Sequence, residues 1–269
     1  MSRKLAALPF ALIAVSSLAA CATTGEGSSQ TAASAATGAL PGARPIDRRA
    51  REQVSREDAL TQMAFWAGEY QTFPNDIEAA QRFSEALRKG GRTDRAAQIA
   101  AEALSRFPED RQLLTTFGYS QITLGRPQQA LRPLALVAAG EPDNWRIRSA
   151  LGAALDQLGR FDEARRAYTE ALALQPNNPR ILTNLGVSHL MAGEPADAEP
   201  ILRQAVQQPG APAEARQNLA ISLALQGRFD EAEQIERVDL SPAQAAQNIQ
   251  YLRGLLSDPR RWNDMGRGR

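Results

Sequence analysis

Apolar residues recur along most of this 269-residue chain at the spacing of amphipathic helices, and the pattern itself repeats every 34 residues. Glycines mark the period at Gly91, Gly125, Gly159, Gly193 and Gly227. Seven residues before each stands Ser84, Gly118, Gly152, Gly186 or Ala220, and five residues after each stands Ala96, Ala130, Ala164, Ala198 or Ala232. Prolines close the units at Pro108, Pro142 and Pro176, with Pro209-Gly210 in the fourth place. Small residues in two fixed columns let helices cross closely, and a glycine between the columns ends one helix by adopting the left-handed backbone. Each unit therefore reads as a pair of helices. In 145–178, Gly159 stops the first, and Phe161-Asp162-Glu163 starts the second with acidic side chains at its positive end. Leu151 and Leu155 then face Tyr168 and Leu172 on apolar stripes. Such a hairpin cannot bury its faces alone, so stacked units bury them jointly and the two ends need covers.

Both ends show covers. Ser55 and Asp58 followed by Leu60, Met63, Trp66 and Tyr70 predict a capped amphipathic helix within 52–76, closing at Phe73-Pro74. The fifth unit departs from the pattern at Glu236 and Asp239 and has no terminal proline, so its second helix is expected to stop early, ending the array of 77–239. Ser241-Pro242 then opens a C-terminal covering helix over 240–257, leaving a tail at 258–269. Pro133 and Pro200 fall inside second helices, where each removes a backbone hydrogen bond; kinks rather than breaks are expected.

The start of the chain reads differently. Met1–Lys4 is basic, Leu5–Val15 is apolar apart from Pro9, and Leu18-Ala19-Ala20-Cys21 follows. An apolar run of 11 residues is too short for a bilayer core, which takes roughly 20 helical residues, so 1–20 reads as a signal peptide. Small residues before the sole cysteine resemble the cleavage site of bacterial lipoproteins. That resemblance implies lipidation of Cys21, and Ala22 rather than Asp at the next position implies the periplasmic face of the outer membrane. The alternatives are a plain secretory signal with an incidental cysteine, or a buried thiol in an uncleaved chain. Residues 22–51 are rich in Ala, Thr, Ser and Gly without a hydrophobic period, and are expected to form a disordered tether from Cys21 spanning on the order of 30 Å.

Composition narrows the chemistry. Aromatic residues make up 6% of the chain while Ala and Leu abound, which favours all-α packing over strands. Without Arg3 and Lys4 of the signal, 29 of the 31 basic residues remain against 30 acidic ones, a balance of −1 that offers no global attraction to nucleic acid. One Cys and one His exclude Cys/His zinc sites and Ser-His-Asp or Cys-His catalysis, and a His-Glu-x-x-His peptidase helix is absent. His189 reads as a packing residue, and Asp162-Glu163 and Glu231 as solvated helix starts without partners for acid–base work. No enzyme, cofactor or metal centre is expected.

A period of 34 with small residues at unit positions 8 and 20, glycine at 15 and proline at 32 resembles the tetratricopeptide repeat (TPR), with units at 77–110, 111–144, 145–178, 179–212 and 213–239. The resemblance implies a right-handed α-solenoid of helical hairpins with N- and C-terminal capping helices. It also implies a peptide groove lined by positions 2, 5, 9, 12 and 13 of the first helices. Those positions hold Glu78, Gln81, Glu85, Arg88 and Lys89 in the first unit, Tyr119 and Ile122 in the second, and Val187, Leu190, Met191, Ile221 and Leu225 in the last two. Arg146 and Arg180, with Asn184 and Asn218 at position 6, add donors for a peptide backbone or carboxylate. The apolar positions could equally pack against neighbouring helices, and the two asparagines could bond within the fold. The segment Leu240-Ser-Pro-Ala-Gln-Ala-Ala-Gln-Asn-Ile-Gln-Tyr-Leu-Arg253, with Arg261-Trp262 after it, resembles the C-terminal region of the TPR lipoprotein of tight-adherence (Tad, or Flp) pilus systems. This implies a scaffold that assists pilus secretion machinery, with the secretin as a partner. The alternatives are a general periplasmic scaffold for envelope or outer-membrane protein assembly, or an accessory subunit of a periplasmic enzyme.

Overall fold

The computed structural model describes residues 47–257, and every regular element among them is an α-helix. The signal, Cys21, the tether up to 46 and the tail at 258–269 lie outside the described residues.

Two helices open the described chain. Asp47 caps α1 (Arg48–Val54), and Asp58 caps α2 (Ala59–Thr72) with a carboxylate that accepts from the backbone N–H of Leu60 and Thr61. This corrects the expectation of a tether through residue 51 and of one covering helix. Residues 48–51 are helical, and Ser55 closes α1 instead of opening α2. The cause is Arg51, which lies only 6% exposed. It pairs with Glu69 at 2.6 Å, Asp76 at 2.5 Å and Glu78 at 2.9 Å, and its guanidinium stands 5.4 Å from the Trp66 ring centre. A lone arginine in a polar stretch carries no local sign of such partners, because they come from two other helices.

Five hairpins follow: α3 (Ile77–Lys89) with α4 (Thr93–Leu104), α5 (Arg111–Thr123) with α6 (Pro127–Gly140), α7 (Trp145–Gln157) with α8 (Phe161–Leu174), α9 (Pro179–Met191) with α10 (Pro195–Val206), and α11 (Ala213–Leu225) with α12 (Phe229–Glu236). Every first helix begins at the expected unit start. The five period-marking glycines have φ between +66° and +80°. The residue after each donates its N–H five residues back, as from Arg160 to Leu155, which closes the exposed end of the first helix.

The two small-residue columns do different work. The alanines from Ala96 to Ala232 are wholly buried between the helices of their units. The column at position 8 leaves room for the side chain at position 24 of the same unit. A Cβ on Gly118, Gly152 or Gly186 would stand 2.6 Å from Leu134, 2.6 Å from Tyr168 or 2.5 Å from Leu202. In the first unit, where position 8 is Ser84, the register sets the smaller Ala100 opposite. Both α6 and α10 run unbroken through Pro133 and Pro200.

The fifth unit ends as expected, with α12 only eight residues long. Asp239 beyond it takes a two-bond grip on Arg216 of α11, at 2.6 and 2.7 Å. Glu236 is buried there, and burial pushes its carboxyl above the ordinary range. Ser241 and Gln244 cap α13 (Pro242–Ser257) reciprocally: the Gln244 N–H donates to Ser241 Oγ, and the Ser241 N–H to Gln244 Oε1. The helix lays Ala245, Ile249 and Leu255 against the array.

Candidate peptide groove

The backbones of first helices in successive units approach one another, α3 to α5, α5 to α7, α7 to α9 and α9 to α11, whereas those of second helices do not. Helices that converge lie on the inside of a bend and helices that splay apart lie outside it. The first helices therefore line the concave face.

The expected groove residues divide on this face. Tyr119, Ile122, Asn184, Val187, Met191, Asn218 and Ile221 are all half-buried, while Arg146 and Arg180 are exposed. Tyr119 and Ile122 lean on the cluster formed by Leu114, Ala130, Leu134 and Val137, and Ile221 leans on the cluster around Leu219 and Leu223. Val187 and Met191, one turn apart on α9, join none of these buried clusters. Asn184 donates to Ser149 Oγ of α7 at 3.1 Å, an internal tie between successive first helices.

Tyr119 and Arg146 come together in an open cleft of about 290 Å³ between α3, α5 and α7. The cleft also contains Arg88, Arg111, Glu85 and Glu141, and its floor includes Ile147. The Arg88 guanidinium lies 5.5 Å from the Tyr119 ring centre, and that of Arg146 lies 4.5 Å from the Trp145 ring. Burial raises the Tyr119 phenol above its ordinary pKa, with Arg88 and Arg146 pulling the other way. Position 12 of the first unit had marked Arg88, whereas Arg111 and Glu141 gave no groove signal because they lie at a unit start and in a loop.

The remaining polar constellations are structural ties. His189 is half-buried, with Nδ1 2.8 Å from Glu194 Oε2, and Asp197 completes a trio whose ligand atoms lie within 4.8 Å of one another. Arg165 already holds the same Glu194 oxygen at 2.8 Å, so the trio forms a clasp across the Gly193 turn. Asp156 of α7 accepts from the hydroxyls of Tyr168 at 2.9 Å and Ser188 at 2.6 Å, joining the third and fourth units. Burial pushes its carboxyl up to about 6 against those two bonds and the charges of Arg165 and His189. No helix among the described residues is long and apolar enough to cross a membrane.

The family model for the tetratricopeptide repeat matches residues 115–179, 149–212 and 183–245, windows that themselves advance by 34. No curated protein matches the chain. Among solved structures, a MamA of strain AMB-1 is 25% identical over 60% of this chain and 95% of its own, with a TM-score of 0.52. A MamA from Desulfovibrio magneticus RS-1 is 19% identical over 59% of this chain and 90% of its own, with a TM-score of 0.54. A thermophilic TPR protein of Thermus thermophilus, TTC0263, is 23% identical over 67% and 99%, with a TM-score of 0.55. These last two likenesses speak to the fold alone. Residues 115–245 thus match the tetratricopeptide repeat, and the described helices stack as a solenoid of that kind, an architecture of protein–protein interaction scaffolds.

Proposed function

We propose that this chain is a lipid-anchored scaffold of the bacterial envelope that assists assembly or placement of a tight-adherence pilus secretion machine, with the secretin as its partner. The carrying observation is the concave face, where five first helices present a different set of side chains in each unit. A surface of that kind recognises an extended polypeptide by shape and local contacts. The lipoprotein-like site at Cys21 supports the anchor, and the likeness of 240–253 to pilus lipoproteins supports the partner. Lipidation at Cys21 would hold the array at the membrane, and residues 22–46 would let it stand clear of the surface.

Three measurements test this reading. Labelling cells with a palmitate analogue should mark the wild-type chain and leave Cys21→Ser unmarked; equal labelling would refute the anchor. Deleting the gene should lower surface pili and secretin multimers, and unchanged levels of both would refute the pilus role. For the groove, Val187→Asp and Met191→Asp should reduce secretin recovered with the chain about tenfold while far-UV circular dichroism stays unchanged. Undiminished recovery would place the contact elsewhere. These two residues serve better than Ile221, whose packing against the buried cluster makes a charge there a fold-breaking change.

A further inference from the structure

The turn at Gly193 gathers donor atoms that the other repeat turns do not. We propose that His189, Glu194 and Asp197 bind a divalent transition-metal ion of the zinc class, held by the imidazole and by one oxygen from each carboxylate. The site lies where α9 hands over to α10, and it stands or falls independently of the groove.

The repeats themselves supply the contrast. Unit position 16 is arginine in four of the five units, at Arg92, Arg126, Arg160 and Arg228, and is Glu194 in the fourth. Position 11 is Leu87, Gln121, Leu155 or Leu223 elsewhere and His189 here. In the third unit the arginine grips the acid three residues on, Arg160 holding Glu163 with two bonds of 2.7 Å. In the fifth, Arg228 holds Glu231 at 2.7 and 2.6 Å. Asp197 takes that acidic place in the fourth unit, but a carboxylate and an imidazole stand where those acids find a guanidinium, and its side chain has no bonding partner among the described residues. The pair of Arg165 with Glu194 at 2.8 Å reverses the pair of Glu199 with Arg228 at 2.6 Å one junction later, which accounts for an acid at 194. The positive end of α10 favours acids in its first turn. Neither accounts for the imidazole set between them.

The lone pairs that an ion needs are present. One ligand atom from each of the three residues lies within 4.8 Å of the other two. Arg165 and His189 Nδ1 both meet Glu194 at Oε2, which leaves Oε1 without a partner among the described residues. Arg165 also holds Asp162 at 2.5 Å, so it orients the Glu194 carboxylate from behind. The His189–Glu194 bond of 2.8 Å already brings imidazole and carboxylate together, and a metal ion replaces the proton between them. Donor atoms around a four-coordinate zinc stand roughly 3.3 Å apart, given bonds of about 2.0–2.2 Å. Rotation of the exposed Asp197 side chain closes the remaining gap.

The donor set selects the ion. Imidazole suits zinc, copper and nickel, whereas calcium and magnesium prefer oxygen donors at six or more positions. Two carboxylates and a neutral imidazole balance a divalent charge, and three protein donors leave the fourth position to water. The bound ion fastens the end of α9 to the start of α10 across Gly193.

Isothermal titration calorimetry with zinc chloride tests this on the full-length chain, purified in non-ionic detergent without a histidine tag. One ion per chain should bind with a Kd of about 1 μM or below. His189→Ala and Asp197→Asn should each weaken binding about tenfold or more. Glu109→Gln, which removes an exposed acid from the loop between α4 and α5, should leave it unchanged, as should Cys21→Ser. Zinc should raise the thermal midpoint of the wild type and not that of Asp197→Asn. Because Asp197 is exposed, this variant reports on the ion without disturbing the core. Absence of one-to-one binding, or undiminished binding by both site variants, would overturn the proposal. Loss of binding in Cys21→Ser would overturn it by assigning the ion to the thiol, and displacement of zinc by an equal concentration of magnesium would reduce the site to a patch of negative charge.

Discussion

At Gly152 a hydrogen stands where a methyl group would sit 2.6 Å from the Tyr168 ring, and that ring is only 1% exposed. A rigid buried ring cannot swing away, so Gly152→Ala must push α7 from α8. We expect a loss of about 1–3 kcal/mol, read as a lower midpoint in urea. Gly159→Ala meets nothing within 4 Å but must hold φ near +71°, and should lose about 1 kcal/mol through backbone strain alone. Asp156 makes a prediction about pH. Its carboxyl, raised from an ordinary 3.8 to about 6, binds its proton more tightly in the folded state. The stability it contributes is full below the unfolded pKa and is lost as pH rises through about 6. Asp156→Asn can keep both hydroxyl partners without the buried charge. It should therefore be more stable than wild type at pH 8, by at most about 3 kcal/mol, and the difference should shrink as pH falls toward 5. A difference that does not change with pH would show that Asp156 does not titrate in this range.

Among the elements, α1 is the one whose place depends most on a single side chain. It is only seven residues long, too short to be stable alone, and Arg51 and Val54 are its buried residues. Removing the cation strands Glu69 in a buried position opposite Asp76. Breaking a buried ion pair costs about 3–5 kcal/mol. Because α1 sits at the edge of the array, Arg51→Ala should release α1 and loosen α2 while leaving the later units in place. Hydrogen exchange should speed up at 48–72 and stay unchanged at 145–225; uniform acceleration would mean that the array unfolds as one unit. The repeat helices need no such latch, since each is held by neighbours on both sides.

For the molecule as a whole, stability is a sum of units and of the interfaces between them, and the ends pay the largest exposure. The C-terminal end is covered by α13, whose Ile249 joins the buried cluster of Leu190, Leu202, Leu219 and Leu223, with Leu252 packed against it. Each large apolar side chain so buried contributes about 1.5–3 kcal/mol. A chain ending at 241 should therefore uncover Leu219 and Leu223, lower the thermal midpoint and self-associate, as read by light scattering. A monomer of unchanged midpoint would show that α13 is an accessory and not a cover. The bend of the array is also a whole-molecule property, and the groove exists only because the backbones of the first helices converge while those of the second helices splay.

The repeat register was legible in the residues themselves because its causes are local. Glycine is the residue that takes the left-handed turn without strain, alanine fits the tight crossing, and proline ends a helix, so a spacing of 34 placed every hairpin, and Ser241-Pro242 marked where α13 begins. The N-terminal boundary was not legible in the same way. Arg51 looks like any exposed arginine until Glu69 and Trp66 are brought around it from α2, and Asp76 and Glu78 from the N-terminal cap and first turn of α3. The groove was readable by position but not by contact. Unit numbering pointed to Tyr119, Arg146 and Val187, yet whether a half-buried side chain packs or stays available is decided by the angle between helices far apart in the chain. Local chemistry determined which helices form and where they stop. Only the stacking of those helices decided which arginines find a carboxylate, because an ion pair across units depends on distances that no stretch of sequence contains.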